Sequence, residues 1–140
     1  MSTKTKQETL VREARKARMK AYAPYSAFPV GAALLAESGR VYTGANVESA
    51  SYGATLCAER AALAAAVTAG ERRFNMLAVA GGETPLTPCG ICRQALAEFL
   101  RPGEDLAVVC AAAQGDERLE TTLRALLPFG FGAADLPHRD

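Results

Sequence analysis

The apolar residues Leu10, Val11, Ala14, Ala17 and Ala21 fall on one stripe of a 3.6-residue period, which predicts a helix over residues 7–21. Pro24 is expected to end it. After the loop at 23–29 the pattern changes. Residues 30–36 form a continuous apolar run, Ser38-Gly39 supplies a turn, and 41–47 resumes β-prone residues, so a hairpin is predicted. Residues 49–56 are small and polar and read as a connection. The Ala-rich stretch 58–69 has high helix propensity, starts near Cys57 and meets Gly70 as its stop.

The second half repeats the alternation. Residues 76–80 form a short strand of the buried type, followed by Gly81-Gly82 and a Pro-containing loop to Thr87. Thr87 is expected to cap a helix over 89–100, with Pro88 in its first turn. Pro102-Gly103 breaks that helix, 106–113 is another apolar strand, and Gln114-Gly115-Asp116 turns the chain. A further strand is expected near 118–121, then a short helix over 122–127 closed by Pro128, with an irregular tail from Phe129. Strands separated by helices predict an α/β fold: a three-layer α/β/α sandwich on a mixed sheet of about five strands. The parallel pairs are expected to dominate, with the hairpin adding an antiparallel pair.

A length of 140 residues suits one domain spanning 1–140. Apolar residues make up 49% and charged residues 22%, which excludes a disordered or fibrous chain. Sixteen Lys and Arg against fifteen Asp and Glu leave a net charge of +1, so no overall field draws in a polyanion, and nucleic acid is not expected as a partner. Lys4, Lys6, Arg12, Arg15, Lys16, Arg18 and Lys20 crowd the first helix, but Glu8 and Glu13 interleave and no stacking aromatics accompany them. A solvated outer face is the expected reading. No apolar stretch is long enough to span a membrane, and the charged N-terminus does not resemble a secretory signal, so a cytoplasmic protein is expected.

In a reducing compartment, Cys57, Cys89, Cys92 and Cys110 are expected to be ligands, catalytic thiols or core residues and not disulfides. Cys89-Gly-Ile-Cys92 puts two thiols on one face of a helix start, which suits zinc. Redox pairs share that spacing, but Cys57, also at a helix start, offers a third sulfur. The N-terminal dipole at these positions is expected to favour thiolates. Three thiolates on Zn²⁺ leave one coordination position open. Cys110 lies inside an apolar run and is expected to be a core residue. Arg60, three residues after Cys57, can donate to the sulfurs and draw back the charge they give the metal. Arg93 is open between such a role and the surface. Glu59 is near the metal in chain distance and can take and return a proton, although i and i+2 do not face each other on a helix. His138, the only histidine, lies in the polar tail and is not expected to bind metal.

Cys57-Ala-Glu59-Arg60 followed by Thr87-Pro-Cys89-Gly-Ile-Cys92-Arg-Gln94 resembles the signature of the zinc deaminases. Tyr22-Ala-Pro-Tyr-Ser, the run Phe28-Pro-Val-Gly-Ala-Ala-Leu-Leu, Asn46-Val-Glu48 and Leu126-Leu-Pro-Phe-Gly-Phe131 narrow the likeness to the short cytidine deaminases that form homotetramers. The resemblance implies that Cys57, Cys89 and Cys92 bind zinc and that Glu59 shuttles the proton. It further implies that Asn46 and Glu48 hydrogen-bond the ribose 3′-OH, and that Phe28 walls the pyrimidine pocket. Tyr52 and Phe131 would reach a neighbouring subunit's site, where Phe131 stacks on the base. Backbone groups of Ala58 and Thr87 would hold the pyrimidine carbonyl and the leaving amine. The implied reaction is hydrolytic deamination of cytidine and 2′-deoxycytidine, with a free pyrimidine nucleoside as the partner.

Three other readings compete. A deaminase of another aminated base, whether an aminonucleoside antibiotic or cytosine in nucleic acid, would share the zinc chemistry. The Asn46 and Glu48 pair argues instead for a free 3′-OH, which an internal nucleotide lacks. A non-catalytic zinc module would close the site with Cys110. A thioredoxin-like oxidoreductase would cycle only the Cys89 and Cys92 pair.

Overall fold

The computed structural model describes residues 2–137, so His138 lies outside the described residues. The chain opens with helix α1 (Thr3–Arg18), capped by the Ser2 side chain, which accepts from the Thr5 N–H. The hairpin follows as β1 (Gly31–Ala36) and β2 (Val41–Ala45). A single 3₁₀ turn at Tyr52–Ala54 leads into α2 (Ala58–Thr68), then β3 (Phe74–Gly81). Helix α3 (Gly90–Ala97), strands β4 (Ala107–Ala112) and β5 (Arg118–Thr122), and the short helix α4 (Leu123–Leu126) complete the main elements.

The five strands form one sheet in the order β2-β1-β3-β4-β5. The expected mixed sheet is present, but parallel pairs do not dominate it. Only β3 and β4 pair in parallel, while β1 runs antiparallel to both β2 and β3, and β5 antiparallel to β4. The helical crossovers do keep β2, β3 and β4 pointing the same way. The hairpin then folds back so that β1 inserts between β2 and β3, which converts one expected parallel neighbour into two antiparallel ones.

Alternation along the central strands divides the core. Ala32, Leu34, Leu77, Val79, Val108 and Cys110 pack on one face against Ala58, Ala62, Leu63 and Ala66 of α2, Leu96 of α3 and Leu123 of α4. Ala33, Leu35, Met76, Ala78, Ala80, Val109 and Ala111 face Leu10, Val11 and Ala14 of α1. That is the expected three-layer arrangement, and it explains why β1, β3 and β4 read as unbroken apolar runs: both of their faces are covered.

Three local expectations change. Helix α1 stops at Arg18, six residues before Pro24, because Tyr22 must extend to bridge Val47, exchanging backbone hydrogen bonds with Asn46 and Glu48. Helix α3 is capped at Cys89 and not at Thr87, whose hydroxyl is held by Arg93. The outer face of α1 is only partly solvated. Arg15 donates to the carbonyls of Ala112 and Gly115, and Arg18 to that of Pro29, tying the helix to loops at the sheet's end.

Close backbone contact seats two helices. A Cβ on Gly31 would lie 1.9 Å from the Ala14 carbonyl oxygen of α1, and one on Gly44 would lie 2.5 Å from the Ala62 nitrogen of α2. Glycine at both positions lets α1 and α2 lie directly on the hairpin from opposite sides.

Candidate active site

The carboxyl ends of β2, β3 and β4 lie at one end of the sheet, since these strands run in the same direction. The chain leaves β2 towards the start of α2 and leaves β3 towards the start of α3, so both helix N-termini face the crevice that such ends create. Cys57 is the N-cap residue of α2 and Cys89 that of α3, neither using its side chain as a cap. Cys92 sits in the first turn of α3 and is buried. The loop before Cys57 is fixed by Leu56, whose backbone pairs with Val47 in both directions.

The three sulfurs lie within 4.8 Å of one another, with Cys57 and Cys89 Sγ 3.7 Å apart and Cys89 and Cys92 Sγ 3.5 Å apart. Sulfurs held tetrahedrally at about 2.3 Å from zinc stand about 3.8 Å apart, so this donor set fits that ion in type and spacing. Among the described residues no other group of three or more His, Cys, Asp or Glu side chains could hold a metal. Cys110 is not part of it. It packs in the core on β4, between Val79 and Leu119 in the sheet register, where burial first and the Glu59 charge second push its thiol up to about 11.

The thiols differ in their surroundings. Burial raises the Cys89 thiol, but hydrogen bonds with the Cys92 backbone N–H and side chain, the Cys57 side chain and the Ile91 N–H outweigh it and hold it below the ordinary value. Cys92 departs from the expectation of a dipole-favoured thiolate: burial, then the neighbouring Glu59 charge, push its thiol up. Proximity to a helix N-terminus is outweighed there by loss of water.

Arg60 donates from Nη2 to Cys57 Sγ at 3.5 Å and to the Thr55 carbonyl at 3.2 Å. Its pKa is held above the usual guanidinium value by the Cys57 and then the Cys92 side chain. Glu59 is only 5% exposed and points into the same region despite its two-residue spacing from Cys57, because Cys57 is a cap outside the helical wheel. Burial pushes its carboxyl up, against its own backbone N–H, the Cys92 thiol and Arg60. A buried carboxyl beside a metal-ligand cluster is a candidate proton carrier.

The residues named for substrate binding surround this centre on loops. Phe28 lies against Gly81 and Gly82 at the end of β3, its ring 3.0 Å from where a Gly82 Cβ would sit. Asn46 is buried, and its side chain bridges the Phe28 loop: Oδ1 accepts from the Val30 N–H at 2.8 Å and Nδ2 donates to the Phe28 carbonyl at 3.0 Å. Glu48 accepts from the N–H groups of Tyr25 and Ser26 and from the Ser26 hydroxyl, and these bonds hold its carboxyl below the usual range. Both polar side chains thus organise the loop over residues 25–30. Ala58 is the first residue of α2, so its N–H has no acceptor within the helix. Tyr52 and Phe131 are exposed; Tyr52 meets Tyr25 edge to face with ring centroids 6.4 Å apart.

Arg93, left open by the sequence, is an internal clamp. Its Nε donates to the Pro88 carbonyl at 2.6 Å, Nη1 to the Leu126 carbonyl at 2.7 Å and Nη2 to the Thr87 hydroxyl at 2.9 Å. Gln94 donates from Nε2 to the Phe131 carbonyl at 2.8 Å. The Arg-Gln pair directly after Cys92 was the only sequence trace of this arrangement.

Comparison with known proteins agrees with this geometry. The chain is 49% identical over 132 residues to a cytidine deaminase of Sporosarcina psychrophila, spanning 94% of this chain and 95% of that protein. The crystal structure of cytidine deaminase from Burkholderia pseudomallei superposes with a TM-score of 0.84 at 46% identity, covering 94% of this chain and all of that one. That of Mycobacterium tuberculosis gives 0.76 at 42% identity over 89% of this chain and 96% of the other. The family model for the cytidine and deoxycytidylate deaminase zinc-binding region matches residues 4–112, a span that takes in all three thiols, Glu59 and Arg60, and the chain belongs to that family.

Proposed function

We propose that this protein is a zinc-dependent hydrolase that deaminates free cytidine and 2′-deoxycytidine to uridine and 2′-deoxyuridine, releasing ammonia. One observation carries the reading: three thiols gathered at two helix N-termini, with a buried carboxyl two residues beyond the first. Relatives that match over nearly the whole chain are cytidine deaminases.

Cys57, Cys89 and Cys92 would hold the zinc. When bound, the ion supplies Lewis acidity that brings the pKa of water towards neutrality. Glu59 takes the first proton from the attacking water and hands it to ring N3 as oxygen adds at C4, then takes the second from the C4 hydroxyl and delivers it to the amine, which leaves as ammonia while C4 becomes a carbonyl. Its burial suits the double role, because raising the pKa of a carboxyl makes it a better proton acceptor than an ordinary carboxylate. Arg60 offsets the negative charge of the thiolates through its bond to Cys57. The Ala58 N–H and the Thr87 backbone face the pyrimidine carbonyl and amine, and Phe28 forms a wall of the base pocket. Asn46 and Glu48 take the ribose 3′-OH with the hydrogen-bonding capacity left over from the 25–30 loop.

The chain works as one domain over 1–140 and as a homotetramer in the cytoplasm. The exposure of Tyr52 and Phe131 supports the assembly, since large aromatics left in water are well suited to completing a neighbouring site. No described helix is long and apolar enough to cross a membrane.

Ammonia release from cytidine is the direct test. Purified enzyme should release it, a zinc chelator should abolish release, and added zinc should restore it. Preference for cytosine in a single strand over free cytidine would move the substrate class to nucleic acid.

A further inference from the structure

Arg93 and Gln94 follow Cys92 on the first turns of α3, yet every hydrogen bond their side chains make leads away from that helix. Arg93 binds the Leu126 carbonyl at the end of α4, as well as Pro88 and Thr87 just before Cys89. Gln94 binds the Phe131 carbonyl. The segment between these two anchors carries Phe129 in a left-handed conformation, at φ 54°, with its side chain fully in solvent, and ends in exposed Phe131. Among the described residues, the only backbone bonds on this stretch are local ones, from the Leu127 N–H to the Arg124 carbonyl and from the Gly130 N–H to the Leu127 carbonyl. Its position is therefore set by two side chains that belong to the metal-ligand turn.

We propose that Arg93 and Gln94 form a two-point clamp through which the metal-ligand turn of α3 positions Phe131 for substrate binding. Both are positioning residues; neither touches the reacting atoms. The proposal rests on the reading above that Phe131 stacks on the base. Arg suits the first anchor because its planar fork reaches three acceptors at once, which an ammonium cannot. Gln suits the second because a single amide N–H meets a backbone carbonyl without placing charge beside the site.

The test uses Gln94→Met in the zinc-loaded enzyme. Methionine keeps the length and removes the donor. Gln94 is exposed, so the fold should survive. KM for cytidine is expected to rise about three- to tenfold, the factor for one neutral hydrogen bond, with kcat and zinc content unchanged. Amide hydrogen exchange over residues 127–132 should quicken, with the rest of the chain unaffected. Arg93→Lys should quicken exchange in the same segment and raise KM, confirming the first anchor. Phe131→Ala, measured in parallel, separates the two ideas. If it raises KM and Gln94→Met combined with it adds nothing further, the clamp acts through Phe131. If Phe131→Ala raises KM and Gln94→Met leaves KM and exchange at parent values, the clamp is wrong while the stacking reading stands. If Phe131→Ala itself leaves KM unchanged, the stacking reading fails and takes the proposal with it.

Discussion

Glu59→Gln is expected to lower kcat for cytidine by about 10,000-fold while zinc content and thermal stability stay at parent values. The amide fills the same volume in the same buried position and can still hydrogen-bond its own backbone N–H and the Cys92 thiol, so folding loses little. What it cannot do is carry a proton. The reaction asks one carboxyl for two transfers, first from water to the ring and then to the departing amine, and no other described carboxyl is buried near the thiols. Stopped assays with parent and variant, alongside elemental analysis for zinc, check the claim. Turnover within tenfold of the parent would remove Glu59 from the mechanism.

Gly44→Ala should push α2, the helix that carries Cys57 and Glu59, off the hairpin. Its Cβ would fall 2.5 Å from the Ala62 nitrogen, 2.6 Å from the Ala58 carbonyl oxygen and 2.8 Å from the Ala61 Cβ, all atoms of α2 that no rotamer change can withdraw. The helix must move off the hairpin, at a cost of about 3 kcal/mol, the upper part of the range for overpacked cores. Because α2 carries Cys57 at its cap and Glu59 in its first turn, the shift also pulls one sulfur from its partners, and a displacement of about 1 Å can cost about 100-fold in rate. Thermal unfolding, zinc stoichiometry and kcat should all fall together. Parent-like stability and metal content in Gly44→Ala would show that α2 does not sit on Gly44 as described.

The chemistry was more legible in the sequence than the scaffold around it. The Cys89 and Cys92 spacing at a helix start is local and readable, while Cys57 and Glu59, 32 and 30 residues before Cys89, declared themselves through residue type and the family signature, and the structure brings all four together. Strand direction is decided over a longer range. Nothing in residues 31–45 says whether the hairpin packs outside the sheet or slips one strand into it, and so the antiparallel pairing of β1 with β3 was missed. The end of α1 was misplaced because Pro24 marks where a helix must already have stopped, whereas the Tyr22 bridge to Val47 decides where it does stop. Arg93, Asn46 and Glu48 show the same limit from the side-chain end. Arg93 reaches Leu126, 33 residues away, Asn46 reaches Val30, 16 away, and Glu48 reaches Ser26, 22 away, so residue type revealed their capacity and only the fold revealed how it is used.

The four cysteines occupy positions with very different access. Cys89 is exposed and Cys57 half-buried, whereas Cys110 is sealed between neighbouring strands of the sheet. An alkylating reagent applied to the native chain therefore records two separate events by mass alone. Additions at Cys89 and Cys57 count ions that have left the sulfur trio, and third and fourth additions, at the buried Cys92 and Cys110, count molecules whose core has opened. The same chain thus carries its own gauge for telling a demetallated enzyme from an unfolded one.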